Sequence, residues 1–109
     1  MNWIPLTSEI ELSQIIEKST TVPQVIFKHS TRCSTSTLVL NRLNKGLTPE
    51  NIDFHFLDLL SHRPISNKIS LDFDVFHEYP QILLIKNGEC CYDESHMAIS
   101  MDDLVVEIG

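Results

Sequence analysis

Cys33 lies in the polar run 30–36, and its neighbours give it the surroundings of a reactive thiol. Only the thiolate form of cysteine is a good nucleophile, and nearby cations or the N-terminus of a helix favour that form. Lys28, His29 and Arg32 supply the basic groups, and capping-type residues after a short apolar run predict a helix start. A redox-active thiol is therefore predicted at Cys33 in preference to an inert buried cysteine.

Ser36 stands three residues after Cys33, where a dithiol site would carry its second cysteine. A second thiol resolves a mixed disulfide from within the protein, whereas a serine leaves that step to an outside thiol. We therefore predict monothiol exchange, in which Cys33 takes a small thiol from a client protein and a second small thiol later removes it. The residues expected to stabilise the thiolate are Arg32, Lys28, His29 and Ser36.

The elements that must position this thiol indicate one α/β domain over residues 1–109. Capped, amphipathic segments predict helices over Ser8–Lys18, from Cys33 to about Lys45, over Arg63–Leu71 and over Met101–Ile108. Apolar runs predict strands over Val25–Phe27, Phe54–Asp58, Gln81–Lys86 and Glu89–Asp93. A parallel β-α-β unit followed by an antiparallel hairpin gives a mixed four-stranded sheet with helices on both faces, which is the thioredoxin-like architecture. Ile10 and Leu38 are assigned to the buried faces of the first two helices.

Cys90 and Cys91 are the alternatives to an outside resolving thiol. Asn87-Gly88 predicts a two-residue hairpin turn, which pairs Lys86 with Glu89, Cys90 with Ile85 and Cys91 with Leu84. At about 3.3 Å per residue, these positions lie roughly 13–17 Å along the strand from Pro80, beyond disulfide reach. One of the two is expected to be a core thiol and the other a surface thiol.

Pro80 directly precedes the uniformly apolar strand segment 82–85. In a thioredoxin-like domain the proline before this strand is cis and faces the active cysteine, so Pro80 is predicted to be cis and to face Cys33. Cis peptide bonds are almost confined to proline. Its missing N–H would leave nearby backbone groups free to pair with a substrate. Tyr79 and Pro80 are therefore predicted substrate-binding residues.

Ser95 and His96 follow the last strand, which runs back toward the predicted thiol site. They are the remaining predicted substrate-binding residues. His96 is suited to bind a carboxylate of a small thiol or to assist proton transfer. The alternative is an exposed histidine beside a capping serine, and the sequence leaves both open.

Composition narrows the class of partner. The chain carries 8 Lys and Arg against 15 Asp and Glu, a net charge of −7, which disfavours nucleic acid and anionic membranes. The five histidines and three cysteines show no compact metal-ligand spacing, so no bound metal is predicted. No secretory signal or long apolar run is present, and the odd cysteine count does not suit a disulfide framework. Reduced thiols in the cytoplasm are expected, and the oligomeric state stays open.

The motifs together resemble the YtxJ-like general stress proteins, the monothiol bacilliredoxins of the bacillithiol system. The likeness rests on Phe27–Cys33 with Ser36, Arg63 with 65–67, His77-Glu78 with Pro80-Gln81, Asn87-Gly88 and Ser95-His96, and Trp3 and Leu6 fit the family's start. Two positions depart from the family pattern: Ser34 replaces the usual proline after the cysteine, and Tyr79 replaces the usual serine before the proline.

The resemblance implies a thioredoxin-like fold in which Cys33 removes bacillithiol from S-thiolated client proteins during redox homeostasis. Bacillithiol would then be a co-substrate, with no bound cofactor. Two other functions stay open from the sequence. One is a non-catalytic binding module of the same fold, and the other is an iron–sulfur cluster carrier.

Overall fold

The computed structural model describes all residues 1–109 and contains a single five-stranded sheet flanked by helices. The strands are β1 (Trp3–Pro5), β2 (Gln24–His29), β3 (Asp53–Asp58), β4 (Gln81–Lys86) and β5 (Glu89–Ser95). The helices are α1 (Glu9–Lys18), α2 (Ser34–Lys45), α3 (Arg63–Phe73) and α4 (Met101–Ile108), with a short 3₁₀ helix over His96–Ala98. None of the helices is long and apolar enough to cross a membrane.

The sheet has the strand order β1-β3-β2-β4-β5. The β2 strand pairs parallel with β3 and antiparallel with β4, so the predicted β-α-β unit and hairpin are confirmed. The predicted count of four strands is wrong, because β1 adds a fifth strand parallel to β3. This strand has only three residues, and Pro5 within it is tolerated because β1 lies at the sheet edge.

The two faces of the sheet bury separate apolar clusters. One face packs residues of α1 and α3 against the sheet, and the other packs α2 and α4 against it. Two helix residues do not follow the predicted burial: Ile10 is 73% exposed and Leu38 is 48% exposed. Ile10 lies two residues before the buried Leu12, which puts the two side chains on nearly opposite sides of the helix.

The β4–β5 hairpin turns at Asn87 and Gly88, both of which have positive φ as the predicted turn requires. The pairs Lys86 with Glu89 and Ile85 with Cys90 are confirmed. The predicted pairing of Cys91 with Leu84 is wrong, because a β-bulge shifts the register and Tyr92 pairs with Leu84 instead.

Candidate active site

The carboxyl end of β2 and the start of β4 bring the predicted site together. Lys28 pairs with Gln81 in the antiparallel register, so His29 and Pro80 are the next residues at that end of the sheet. The Tyr79–Pro80 peptide bond is cis, which confirms the prediction. The backbone N–H of His96 donates to the Pro80 carbonyl oxygen at 2.9 Å, which places the end of β5 at the same site.

Cys33 is the N-cap residue of α2, as the sequence predicts. Its backbone N–H donates to the Ser30 carbonyl oxygen at 3.2 Å, and its carbonyl oxygen accepts from the Thr37 N–H at 3.1 Å. The side chain is half-buried and forms neither a disulfide nor a cap hydrogen bond. An N-cap group lies beside the unpaired N–H groups of the first helical turn, where the partial positive charge of the helix is concentrated.

Ser36 is fully buried and contacts His29 rather than the cysteine. Its Oγ accepts from the Ser30 N–H at 3.2 Å and lies 2.6 Å from His29 Nδ1. Burial lowers the pKa of His29, against a smaller opposing effect of Asp58, so the neutral ring can accept at Nδ1. The Ser36 hydroxyl proton is thus directed at His29. In this arrangement Ser36 and His29 brace the loop before α2, and neither donates to Cys33.

Arg32 and Lys28, the predicted cations of the site, lie in opposite surroundings. Arg32 is exposed beside Cys33, forms no ion pair, and leaves its guanidinium available to an anion. Lys28 is fully buried, and its ammonium points into the face covered by α3, where it contacts Ser66, Ser70 and His77. The predicted contact between Lys28 and the thiolate is therefore not found, because side chains alternate between faces along a strand and Lys28 follows the α3 face.

Tyr79 and His96 are exposed residues that adjoin the cis proline. The Tyr79 side chain is 44% exposed, and its ring centre lies 6.0 Å from that of His77. His96 Nε2 lies 3.0 Å from Glu78 Oε2. The carboxylate that His96 contacts in the structure is therefore that of Glu78, where the prediction expected a carboxylate of the small thiol. Ser95 pairs with Gln81 across the hairpin.

The other two thiols lie toward the far end of the hairpin. Cys90 is half-buried, its Sγ donates to the Tyr92 carbonyl oxygen at 3.3 Å, and burial raises its pKa to about 11. Cys91 is exposed. One core thiol and one surface thiol are thus confirmed. No group of three or more His, Cys, Asp or Glu side chains is arranged to hold a metal ion.

His77 and Glu78 enter the sequence analysis only as part of a family likeness, yet both contact predicted site residues. His77 Nδ1 lies 3.2 Å from Ser66 Oγ and 3.5 Å from Lys28 Nζ. Burial and the charge of Lys28 lower the pKa of His77. The segment before Pro80 carries polar residues in a loop, but nothing in the sequence shows which of them contact Lys28 and Ser66.

A family model described as monothiol bacilliredoxin BrxC matches residues 4–104. The chain belongs to this family. A solved structure described as a proposed oxidoreductase with a thioredoxin fold is 28% identical, with a TM-score of 0.85 over 97% of this chain and 93% of that chain. Thioredoxin from Malassezia sympodialis is 17% identical, with a TM-score of 0.74 over 98% and 88% of the two chains. Fasciola hepatica thioredoxin is 16% identical, with a TM-score of 0.73 over 94% of each.

These likenesses confirm the thioredoxin-like fold and the resemblance to the bacilliredoxins. A thiol-based redox function follows for this bacilliredoxin at the level of its family.

Proposed function

We propose that this bacilliredoxin is a cytoplasmic monothiol oxidoreductase that removes bacillithiol from S-thiolated proteins, with Cys33 as the nucleophile. The Cys33 thiolate attacks the small-thiol sulfur of the mixed disulfide. The protein–sulfur bond breaks, the client leaves as a thiolate that takes up a proton, and a new disulfide joins Cys33 to the small thiol. A second small thiolate then attacks that disulfide, which frees Cys33 and releases the small thiol as its own disulfide.

The observation that carries the proposal is the position of Cys33 as the half-buried N-cap of α2, with Ser36 where a resolving thiol would stand. The helix N-terminus stabilises the attacking thiolate, and the exposed Arg32 adds a cation nearby. Because Cys90 and Cys91 lie on β5 beyond Leu84, neither is positioned to complete the second step. An outside thiol must therefore do so.

Intact-mass analysis tests both the nucleophile and the identity of the small thiol. The protein is incubated in parallel with the disulfides of bacillithiol, glutathione and coenzyme A, and each adduct is mapped by peptide digestion. We expect one adduct, on Cys33, with bacillithiol reacting fastest. The same series on a bacillithiolated model protein should show release of bacillithiol by the wild-type chain.

Cys33→Ser should abolish that release, whereas Cys91→Ser, which removes an exposed thiol, should leave it unchanged. Release that survives Cys33→Ser would exclude Cys33 as the nucleophile. Faster reaction with glutathione or coenzyme A would replace bacillithiol as the assigned co-substrate while leaving monothiol exchange in place.

A further inference from the structure

Lys28 is a buried cation without an anionic partner. Its side chain is fully buried, and none of the three ion pairs of the structure includes it. The ammonium is satisfied only by neutral groups: it donates to the Ser66 carbonyl oxygen at 3.3 Å and to Ser70 Oγ at 3.2 Å, and it contacts His77 Nδ1 at 3.5 Å. Burying an unpaired charge costs stability, and an apolar side chain of similar length would fill the same space at lower cost.

His77 links this buried charge to the segment that ends in the cis proline. Burial lowers the pKa of Lys28 to about 8, so the side chain is mainly an ammonium at pH 7. An ammonium has only protons to donate, so at that pH His77 Nδ1 accepts from it. Ser66 Oγ lies 3.2 Å from the same nitrogen, so the hydroxyl and the ammonium share its single lone pair. His77 therefore needs to be neutral with its proton on Nε2, and the lowering of its pKa by burial and by Lys28 favours that form.

A second hydrogen bond next to this one holds the segment 76–79 to the sheet. Gln81 Nε2 donates to the Phe76 carbonyl oxygen at 2.9 Å. Glu78 Oε2 makes a third contact, with His96 Nε2 at 3.0 Å. Elsewhere the segment is open to solvent, with Phe76 90% exposed and Tyr79 44% exposed. The placement of Tyr79 and Pro80 beside the end of β2 thus depends on few contacts. The contact of Lys28 with His77 is one of them.

We propose that Lys28 is a positioning residue for thiol exchange, which holds His77 and through it the Tyr79–Pro80 surface on which the mixed disulfide must lie. The inference rests on the proposed exchange at Cys33. It assigns Lys28 a role through α3 and the proline segment instead of through contact with the thiolate. Functional sites commonly contain residues that lower the stability of the fold, and a buried, unpaired Lys28 is such a residue.

The test compares wild type with Lys28→Met on two reactions of Cys33. Alkylation by iodoacetamide needs only the thiol, whereas release of bacillithiol from a thiolated model protein also needs the Tyr79–Pro80 surface. We expect Lys28→Met to keep the alkylation rate within about twofold and to slow release about tenfold, since small misplacements of a reacting group cost up to about a hundredfold. The variant should also melt at a higher temperature.

Two further variants isolate the route of the effect. His77→Gln should slow release to a similar extent, and the Lys28→Met, His77→Gln double variant should be no slower than the slower single variant. Lys68→Met is the matched control, because it removes a cation of α3 that pairs with Asp72 at the surface. Its release rate should equal that of wild type.

Titration of the His77 ring by NMR gives a readout independent of exchange. Loss of the Lys28 charge should raise the pKa of His77 in Lys28→Met and leave it unchanged in Lys68→Met. Three results would overturn the inference. Lys28→Met could release the small thiol as fast as wild type, its alkylation could slow as much as its release, or the pKa of His77 could be the same in the variant and in wild type. A wild-type protein that releases no small thiol would instead overturn the proposed function, and the titration would then still report whether Lys28 holds His77.

Discussion

At the scale of single residues, Ser36 has two separate consequences for the site. Its side chain lacks a thiol, so in the proposed exchange an outside molecule must release the mixed disulfide. Its hydroxyl also joins the first turn of α2 to β2, because it accepts from the Ser30 N–H and lies 2.6 Å from His29 Nδ1. The sequence indicates the first consequence and not the second.

We expect Ser36→Ala to destabilise the fold. The substitution leaves the buried Ser30 N–H and His29 Nδ1 without their partner, and an unsatisfied buried polar group costs about 1–3 kcal/mol. Urea unfolding measures the change in the free energy of unfolding. Ser34→Ala, at an exposed position of the same turn, should stay within about 0.5 kcal/mol of wild type. Equal stability of Ser36→Ala and Ser34→Ala would contradict the bracing role of the Ser36 hydroxyl.

At the scale of elements, the bulge in β5 sets the surroundings of Cys91. A regular strand would alternate Cys90 and Cys91 between the two faces. The bulge leaves Cys91 without a paired residue on β4, while Cys90 packs against the cluster shared by α1 and α3. The thiol of Cys90 therefore lies in apolar surroundings, which disfavour the thiolate.

A maleimide reagent should therefore modify Cys91 much faster than Cys90 in the folded protein at pH 8. Burial raises the pKa of Cys90 to about 11, so its reactive thiolate is scarce at that pH. Peptide mapping at successive times gives the two rates, and the rates in urea serve as the control because unfolding should make them similar. Rapid labelling of Cys90 in the folded state would show that β5 opens locally.

At the scale of the whole molecule, three histidines couple stability to pH. Burial is the main cause of a lowered pKa at His29, His55 and His77. They lie at different places in the fold. The His55 side chain is hydrogen-bonded to that of Gln24 at the end of the sheet away from Cys33, whereas His29 and His77 lie at the candidate active site. Each binds its proton more weakly in the folded chain than in the unfolded chain.

The free energy of unfolding should consequently fall as the pH drops below about 6.5, the ordinary pKa of histidine. Above that pH both states carry neutral rings and the contribution is complete; below it the unfolded chain takes up protons first and is favoured. Urea unfolding between pH 7.5 and 5.5 measures the slope, which His77→Gln should reduce by removing one group. A stability that is flat or rises toward pH 5.5 would contradict this account.

The sequence by itself determined the fold class and the thiol-based redox class of this bacilliredoxin. Hydrophobic pattern, turn residues and helix caps act over a few neighbouring residues, so the sequence shows them directly. Examples are the apolar run of β4, the Asn87-Gly88 turn and the cap signals before α1 and α2. The same local reasoning places Cys33 at a helix N-terminus and Ser36 where no second thiol stands. It misses β1, because three edge residues carry too short a pattern.

Only the tertiary structure decided where the basic residues near Cys33 act. Lys28 and His29 are adjacent in sequence and opposite in direction, so one enters the α3 face and the other meets Ser36. His77, which lies 3.5 Å from Lys28 Nζ, is 49 residues away along the chain. Such contacts depend on the packing of α3 and the proline segment against the sheet, and sequence proximity cannot reveal them.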